Sequence, residues 1–133
     1  MAYRKPPVLV HRLLNPIALR LGLAGTTELT VAGRSTGRPC RVPVIPFVHD
    51  GTRYVLSTRG ESEWVRNLRA AGRAQLRRKG RTEEVTATEV PIPARPPLID
   101  AYRRTAGRTV ATYFRSLPDP ADHPVFALDP VAP

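Results

Sequence analysis

Three strand-like segments follow one another in the first half of the chain, with only short turns between them. Residues Thr27–Ala32 alternate as a half-buried strand does, residues 41–48 are rich in β-branched side chains, and residues 53–58 form the third segment. A turn at residues 33–39, here called the basic turn, separates the first two, and an Asp-Gly pair precedes the third. This spacing predicts antiparallel β-structure and excludes a doubly wound parallel sheet.

Proline and glycine residues indicate where these segments lie at an edge and where a helix ends. Pro43 and Pro46 lie within the second segment and mark edge or bulge positions, because proline cannot donate a ladder hydrogen bond. Residues 61–71 have helical spacing with Trp64 and Leu68 on one face, and Gly72 ends the predicted helix. Ala71 is expected on that same face.

The rest of the chain completes a mainly β fold with helical insertions. Residues 73–79 and 81–90 predict a hairpin, residues 98–114 a short helical region, and residues 124–128 a last strand. We predict an α+β chain that forms a small split β-barrel. The 133 residues fit one domain, with an N-terminal helix at about 8–23, the barrel at about 27–90, and a C-terminal helix and strand at about 98–129.

The chain carries a formal net charge of +10, and all its basic residues except Lys5 and Lys79 are arginine. Such a charge indicates a polyanionic partner: nucleic acid, an anionic membrane surface or an acidic small molecule. A compositional bias toward arginine would give the same excess, so an isolated exposed arginine carries no function by itself.

Other classes of protein are disfavoured. No run of about 18 apolar residues is present, and polar residues break the apolar stretch at residues 8–23, so we expect neither a membrane span nor a secretory signal, and a cytoplasmic location. Cys40 has no partner for a disulfide and no neighbour at metal-ligand spacing, and His11, His49 and His123 lie far apart. We therefore expect no metal.

The basic turn is the first candidate site. Arg34, Arg38 and Arg41 provide three cations, Ser35 and Thr36 provide hydroxyl donors, and amides of a glycine-containing turn can surround an anion. The same residues are also compatible with a solvated basic hairpin that binds no ligand. Their spacing does not fit a P-loop.

The second candidate is residues 57–60, where a strand ends before a helix and Trp64 follows. A third cluster, residues 73–81, is either a polyanion contact or a solvated hairpin.

Taken in order, residues 29–39, the Asp-Gly pair at residues 50–51 and residues 64–70 resemble the deazaflavin-dependent nitroreductase family. That family belongs to the flavin/deazaflavin oxidoreductases, which have a split β-barrel like that of pyridoxamine phosphate oxidase. The resemblance covers roughly residues 15–90. It implies the acidic deazaflavin coenzyme F-420 as cofactor, with FMN as the alternative within the same fold.

The resemblance also implies where the cofactor binds. The basic turn and the start of the next strand would hold the phosphate and acidic tail, and residues 43–45 and 57–60 would flank the deazaflavin ring. Trp64 would support that loop, and Asn67 would pin the helix. The cofactor-binding residues implied in this way are Arg34, Ser35, Thr36, Gly37, Arg41, Pro43, Val44, Ile45, Ser57, Thr58, Arg59, Gly60 and Trp64.

By the same resemblance, the chain transfers hydride from reduced F-420 to a small hydrophobic electrophile: a quinone, a nitro compound or an activated alkene. No catalytic residue is certain, and Ser57, Tyr102 and Tyr113 are candidates for contacting the ring or donating a proton. The rivals are an FMN protein, a non-catalytic cofactor- or lipid-binding protein, and a basic nucleic-acid-binding module. A specific nucleic acid is not expected, whereas a homodimer and peripheral membrane contact stay open.

Overall fold

The strands expected from the alternating segments are present in the computed structural model, which describes residues 26–131; the helix predicted at residues 8–23 lies outside them. The seven strands in the described part are β1 (Thr27–Ala32), β2 (Pro39–Val44), β3 (Phe47–His49), β4 (Thr52–Leu56), β5 (Arg73–Arg78), β6 (Arg81–Glu89) and β7 (Val125–Pro130). They form one antiparallel sheet in the order β2-β1-β5-β6-β7-β4-β3.

The two outermost strands of this sheet are adjacent in sequence. Only Ile45 and Pro46 separate the end of β2 from the start of β3. Three Cα–Cα steps span at most about 11 Å, whereas six inter-strand spacings in a flat sheet amount to about 29 Å. The sheet must therefore curl until its edges nearly meet, which produces a barrel that is open along one seam between β2 and β3.

This closure corrects one prediction from the sequence. Residues 41–48 were expected to form a single strand, but the chain breaks at Ile45 and Pro46 and its two halves lie at opposite edges of the sheet. The physical reason is proline: Pro46 occupies the break, and Pro43 lies in a strand with a partner on one side only. The edge position predicted for Pro43 is thus confirmed.

Two hairpins have the turns that the sequence indicates. Asp50 and Gly51 have φ values of 52° and 79° between β3 and β4, and Lys79 and Gly80 have values of 53° and 77° between β5 and β6. Two successive residues with positive φ give the type I′ twist that matches the twist of paired strands. Both connections therefore bring their strands into register without a bulge.

Three α-helices complete the described fold: α1 (Glu63–Ala71), α2 (Pro96–Ala106) and α3 (Ala111–Ser116). Gly72, with a φ of 71°, ends α1 as predicted. The helical region expected at residues 98–114 is divided by a 3-10 turn at Gly107–Val110. Gly107 has a φ of 82°, which no continuous helix admits. Among residues 26–131, no helix combines the length and apolarity needed to cross a membrane.

Strands β4 and β7 are buried on both faces, and they separate two apolar clusters. Val55 and Phe126 point to the cluster that α1 covers, whereas their neighbours Leu56 and Val125 point to the cluster that α2 and α3 cover. Side chains alternate along a strand, so consecutive apolar residues are what a strand between two layers requires. The second cluster also contains Tyr102, from α2.

The most buried ion pair in this sheet predicts a measurable stability cost. Arg53 on β4 donates through both terminal nitrogens to Glu83 on β6, at 2.9 and 2.8 Å, and the Arg53 side chain is only 9% exposed. Glu83→Gln would leave this guanidinium without its counter-charge. We expect the free energy of unfolding to fall by about 3 kcal/mol in denaturant titration, since unpairing a buried charge is costly.

The adjacent Glu84 supplies a matched control. Its carboxylate lies 4.0 Å from Arg73, and both side chains are more than half exposed. Glu84→Gln should change the free energy of unfolding by less than about 1 kcal/mol. Equal effects of the two substitutions would show that the Arg53–Glu83 pair is not a buried interaction of the folded protein.

Candidate functional site

The barrel seam opens into a cavity of about 790 Å3, here called the seam cavity. Strand β2 lines it along its free edge, together with the residue that follows, Ile45. Half of the backbone N–H and C=O groups of an edge strand point away from its only partner. Among residues 26–131, β2 pairs with β1 alone, so this wall of the seam cavity presents main-chain donors and acceptors that β1 does not use, apart from Pro43, which has no N–H.

The opposite wall begins with the strand-end loop, residues 57–60, which follows β4. The Ser57 hydroxyl donates to the Gly60 carbonyl at 2.7 Å, and Gly60 has a φ of 78°. The Ser57 amide donates to the Pro124 carbonyl at 2.9 Å. Ser57, Thr58 and Arg59 all line the cavity. These bonds give the loop a defined path into α1.

His123 fixes this loop from behind. Its ring is fully buried, with Nδ1 2.9 Å from the Ser57 carbonyl oxygen and Nε2 2.6 Å from the Leu117 carbonyl oxygen. The ring also packs on Phe114 of α3, with centroids 4.4 Å apart. A single side chain thus joins the strand-end loop to the helical wall of the cavity. In the sequence, His123 was considered only as a metal ligand, and no metal was expected. Its role in holding the loop depends on a contact with Ser57, 66 residues away in the chain.

Aromatic hydroxyl groups line the helical wall. Tyr102 is 4% exposed, and its ring contacts Phe47 edge-on at 5.6 Å. Burial, with a smaller contribution from Tyr113, raises the pKa of Tyr102 to about 12. The Tyr113 hydroxyl accepts a hydrogen bond from Arg59 at 3.3 Å, which links α3 to the strand-end loop. Both tyrosines proposed from the sequence therefore lie in the cavity wall.

The basic turn lies beside the cavity, and its backbone is largely engaged in internal hydrogen bonds. The Gly33 amide donates to the Arg38 carbonyl, and the Gly37 amide donates to the Gly33 carbonyl, each at 2.8 Å. The Arg38 amide donates to the Thr36 hydroxyl at 3.1 Å. These three amides are therefore not available to a ligand anion, which would meet the remaining amides and the arginine side chains of the turn.

Asn67 attaches the basic turn to α1. Its buried Oδ1 accepts from both the backbone amide of Arg34, at 3.0 Å, and the Arg34 Nη1, at 2.8 Å. The pinning role implied for Asn67 thus has a definite geometry. The same Arg34 Nη1 also donates to the Glu63 carboxylate at 3.0 Å, and this bond lowers the pKa of Glu63.

The turn's cations therefore have acidic neighbours that the sequence did not reveal. No acid occurs within residues 33–41, but Glu63 reaches Arg34 from α1, and Glu28 lies 3.9 Å from the Arg41 guanidinium across the β1–β2 pair. Arg41 keeps 61% of its side chain exposed, and it lines the cavity. It is consequently the more accessible of these two arginines.

Trp64 differs from its expected packing. It was expected to share the buried face of α1 with Leu68 and Ala71, but the buried residues of this helix are Val65, Asn67 and Leu68. Trp64 is half-buried at the edge of the core, 6.3 Å from the Phe126 ring, and it lines the cavity. The helix is rotated because Val65 and Leu68 fill the barrel interior, while the larger indole borders the seam.

The structure brings most of the implied site residues together. Those in the cavity wall are Arg41, Pro43, Val44, Ile45, Ser57, Thr58, Arg59, Trp64, Tyr102 and Tyr113. Those outside the wall are Arg34, Ser35, Thr36, Gly37 and Gly60, which lie in the two adjoining turns. The wall also includes Asn67, whose implied role was to pin the helix, and the residues that were not expected in the site: Cys40, Val42, Leu56, Ser62, Glu63 and Val110.

Within residues 26–131, no group of three His, Cys, Asp or Glu side chains is arranged to hold a metal ion. The groups that line the cavity are arginine side chains, hydroxyl groups, the Glu63 carboxylate, the Cys40 thiol, the edge-strand backbone and apolar side chains. Such a mixture suits a planar organic ligand that carries an anionic group.

Solved structures identify the class of fold. HutZ, the heme storage protein from Vibrio cholerae, matches with a TM-score of 0.63 and 15% identity over 90% of this chain and 92% of its own. A Clostridium acetobutylicum protein related to general stress protein 26, of the pyridoxinephosphate oxidase family, matches with a TM-score of 0.60 and 12% identity over 91% of this chain and 84% of its own. At these identities the likeness concerns the fold alone, and it confirms the predicted split β-barrel.

The family follows from the sequence itself. The family model described as F420H(2)-dependent quinone reductase matches residues 4–117, and the chain belongs to this family. No curated protein matches the chain. The resemblance to deazaflavin-dependent oxidoreductases is thereby confirmed.

The Asn67 contact can be tested through stability. Asn67→Ala removes the acceptor of the Arg34 amide, so we expect a loss of about 1–3 kcal/mol in the free energy of unfolding. Asn67→Asp retains an acceptor oxygen beside the Arg34 guanidinium and should restore most of this loss. Calorimetry of the three proteins checks the prediction, and equal losses in both variants would contradict the proposed role of Oδ1.

Proposed function

We propose that the seam cavity binds coenzyme F-420 and that the protein catalyses reduction of a quinone by the reduced cofactor. The observation that carries this proposal is the position of the cavity. It lies along the free edge of β2, with Arg41 among its lining residues and Tyr102 and Tyr113 on the helical wall. The family to which the chain belongs supports the same cofactor and acceptor.

The residues present fit a deazaflavin. A volume of about 790 Å3 lies within the usual range of small-molecule sites. The free edge of β2 offers N–H and C=O groups to the polar edge of a planar ring, while Val44, Ile45 and Trp64 provide apolar surface for its faces. Ser57 and Thr58 add hydroxyl groups at the strand-end loop.

The anionic part of F-420, a phosphodiester with an oligoglutamate tail, requires cations at one end of the cavity. Arg41 meets this need most directly because it is exposed and only loosely paired. Arg34 lies next to two cavity residues, Glu63 and Asn67, and its guanidinium is fixed by them. Arg38 belongs to the same turn. This arrangement supports a tail that runs from the cavity toward the basic turn.

The bound reduced cofactor would supply a hydride to the acceptor. A quinone that receives a hydride carries negative charge on oxygen and takes up one proton to become a hydroquinone. Tyr102 is suited to assist there, because it lines the cavity and its hydroxyl, protonated at neutral pH like that of any ordinary tyrosine, can donate a hydrogen bond to the acceptor oxygen. Arg59 and Tyr113 lie on the same side of the cavity, joined by their 3.3 Å hydrogen bond.

Cofactor binding provides the first functional test. Arg41→Ala should weaken binding of F-420 by about 10-fold, the value of one charge-assisted contact, as measured by quenching of the cofactor's fluorescence. Arg77→Ala on the β5–β6 hairpin removes the same charge away from the cavity and should leave the dissociation constant nearly unchanged.

A ligand control separates the tail contact from a general disturbance. The same deazaflavin without phosphate and tail should bind both the Arg41→Ala variant and the unaltered protein equally well. Weaker binding of this neutral ligand would mean that Arg41 supports the fold or the ring. Tight, salt-sensitive DNA binding by a protein that binds neither deazaflavin would favour the nucleic-acid alternative.

Turnover tests the role of Tyr102. Tyr102→Phe should lower kcat for quinone reduction by about 100-fold and leave the dissociation constant of F-420 unchanged, since the hydroxyl stabilises charge that develops on the acceptor. Tyr54→Phe removes a hydroxyl outside the cavity wall and serves as the control. An unchanged kcat in Tyr102→Phe would assign proton delivery to another group. Nitroaromatic and activated-alkene acceptors, assayed with the unaltered protein, would define the range of substrates.

A further inference from the structure

We infer that Glu63 is a specificity residue that disfavours compact dianionic phosphates, such as the phosphomonoester of FMN, relative to the singly charged groups of the F-420 linkage. This inference rests on the proposed function. It concerns a carboxylate that lines a cavity expected to receive an anion, directly beside one of the arginines expected to bind it.

The geometry fixes the distance between Glu63 and an incoming anion. Asn67 is buried and holds the Arg34 guanidinium through Nη1 at 2.8 Å, so this cation cannot move freely away from α1. The Glu63 carboxylate lies 3.0 Å from the same nitrogen. An anion that bonds Arg34 at about 2.8 Å therefore lies roughly 4–7 Å from the carboxylate.

The Glu63 side chain has no second anchor in the described structure. It is 76% exposed, and its recorded partner is Arg34. The ion pair neutralises much of the attraction that Arg34 would otherwise exert on a ligand. A ligand anion must share Arg34 with this carboxylate or displace it, and the repulsion grows with the charge that the ligand concentrates at that point.

The two candidate cofactors differ in this respect. A phosphomonoester carries a charge of about −1.5 to −2 on one group at neutral pH. A phosphodiester carries a single charge, and further charges of an oligoglutamate tail are spread along a flexible chain that can bend away. For unit charges about 5 Å apart in water, the Coulomb energy corresponds to about a 4-fold change in affinity, and about 16-fold for a dianion.

Glu63→Gln tests the inference because it removes the charge with little change in shape. At low salt we expect the affinity for F-420 to increase by about 2- to 4-fold and the affinity for FMN by about 5- to 16-fold. The deazaflavin that lacks phosphate and tail should bind with unchanged affinity. Fluorescence titration measures all three ligands, and the gains should shrink at about 1 M salt, where the Debye length is only about 3 Å.

Glu61 provides the matched control. It also is exposed and carries a lowered pKa, but its partner is Arg69 and it does not line the cavity. Glu61→Gln changes the net charge by the same amount as Glu63→Gln, but at a residue that does not line the cavity. It should therefore leave the ratio of FMN to F-420 affinities unaltered. Thermal melting of both variants checks that the fold is retained.

Distinct results would overturn the inference and the proposed function. If neither deazaflavin binds the unaltered protein, the proposed function fails. If the deazaflavins bind but Glu63→Gln changes the affinity of all three ligands equally, or improves FMN no more than F-420, Glu63 is not a specificity residue. The same conclusion about Glu63 would follow if FMN binding to the Glu63→Gln variant stayed undetectable.

Discussion

The two-residue link between β2 and β3 is the constraint on which the rest of the structure depends. Because Ile45 and Pro46 connect opposite edges of a seven-stranded sheet, the sheet has to curl, and the seam cavity lies along the β2 edge, between this strand, the strand-end loop and the helices. Apolar side chains then fill the interior of the curled sheet and cover its outer face. Val65 and Leu68 fill the barrel from α1, while α2 and α3 cover the outside of β4 and β7.

The contacts around the cavity join segments that are distant in sequence. His123 connects the strand-end loop to α3, and Asn67 connects the basic turn to α1. Arg95, itself buried, donates to the carbonyls of Val90 and Pro120 and so fixes the segment that precedes His123. The strand-end loop and the basic turn are therefore each held by a side chain from elsewhere in the fold.

Local signals in the sequence predicted the strands, the two glycine hairpins and the end of α1, because alternation and positive φ act over a few residues. The resemblance to a family added the residues of the cavity wall. The break at Pro46, the rotation of α1 that places Trp64 at the seam, and the approach of Glu63 to Arg34 were not predicted. These three features depend on which edges of the sheet meet and on which side chains fill the interior. Neither can be determined from a short stretch of sequence.

The link between β2 and β3 also determines how such a cavity can change. Side-chain substitutions alter the lining of a pocket, but here the separation of the two sheet edges is set by the number of backbone bonds that join them. One added residue in the link would lengthen its reach by about 3.5 Å, roughly the thickness of an aromatic ring. An insertion or deletion at this point would therefore shift the β2 edge relative to β3, a change that no side-chain substitution makes.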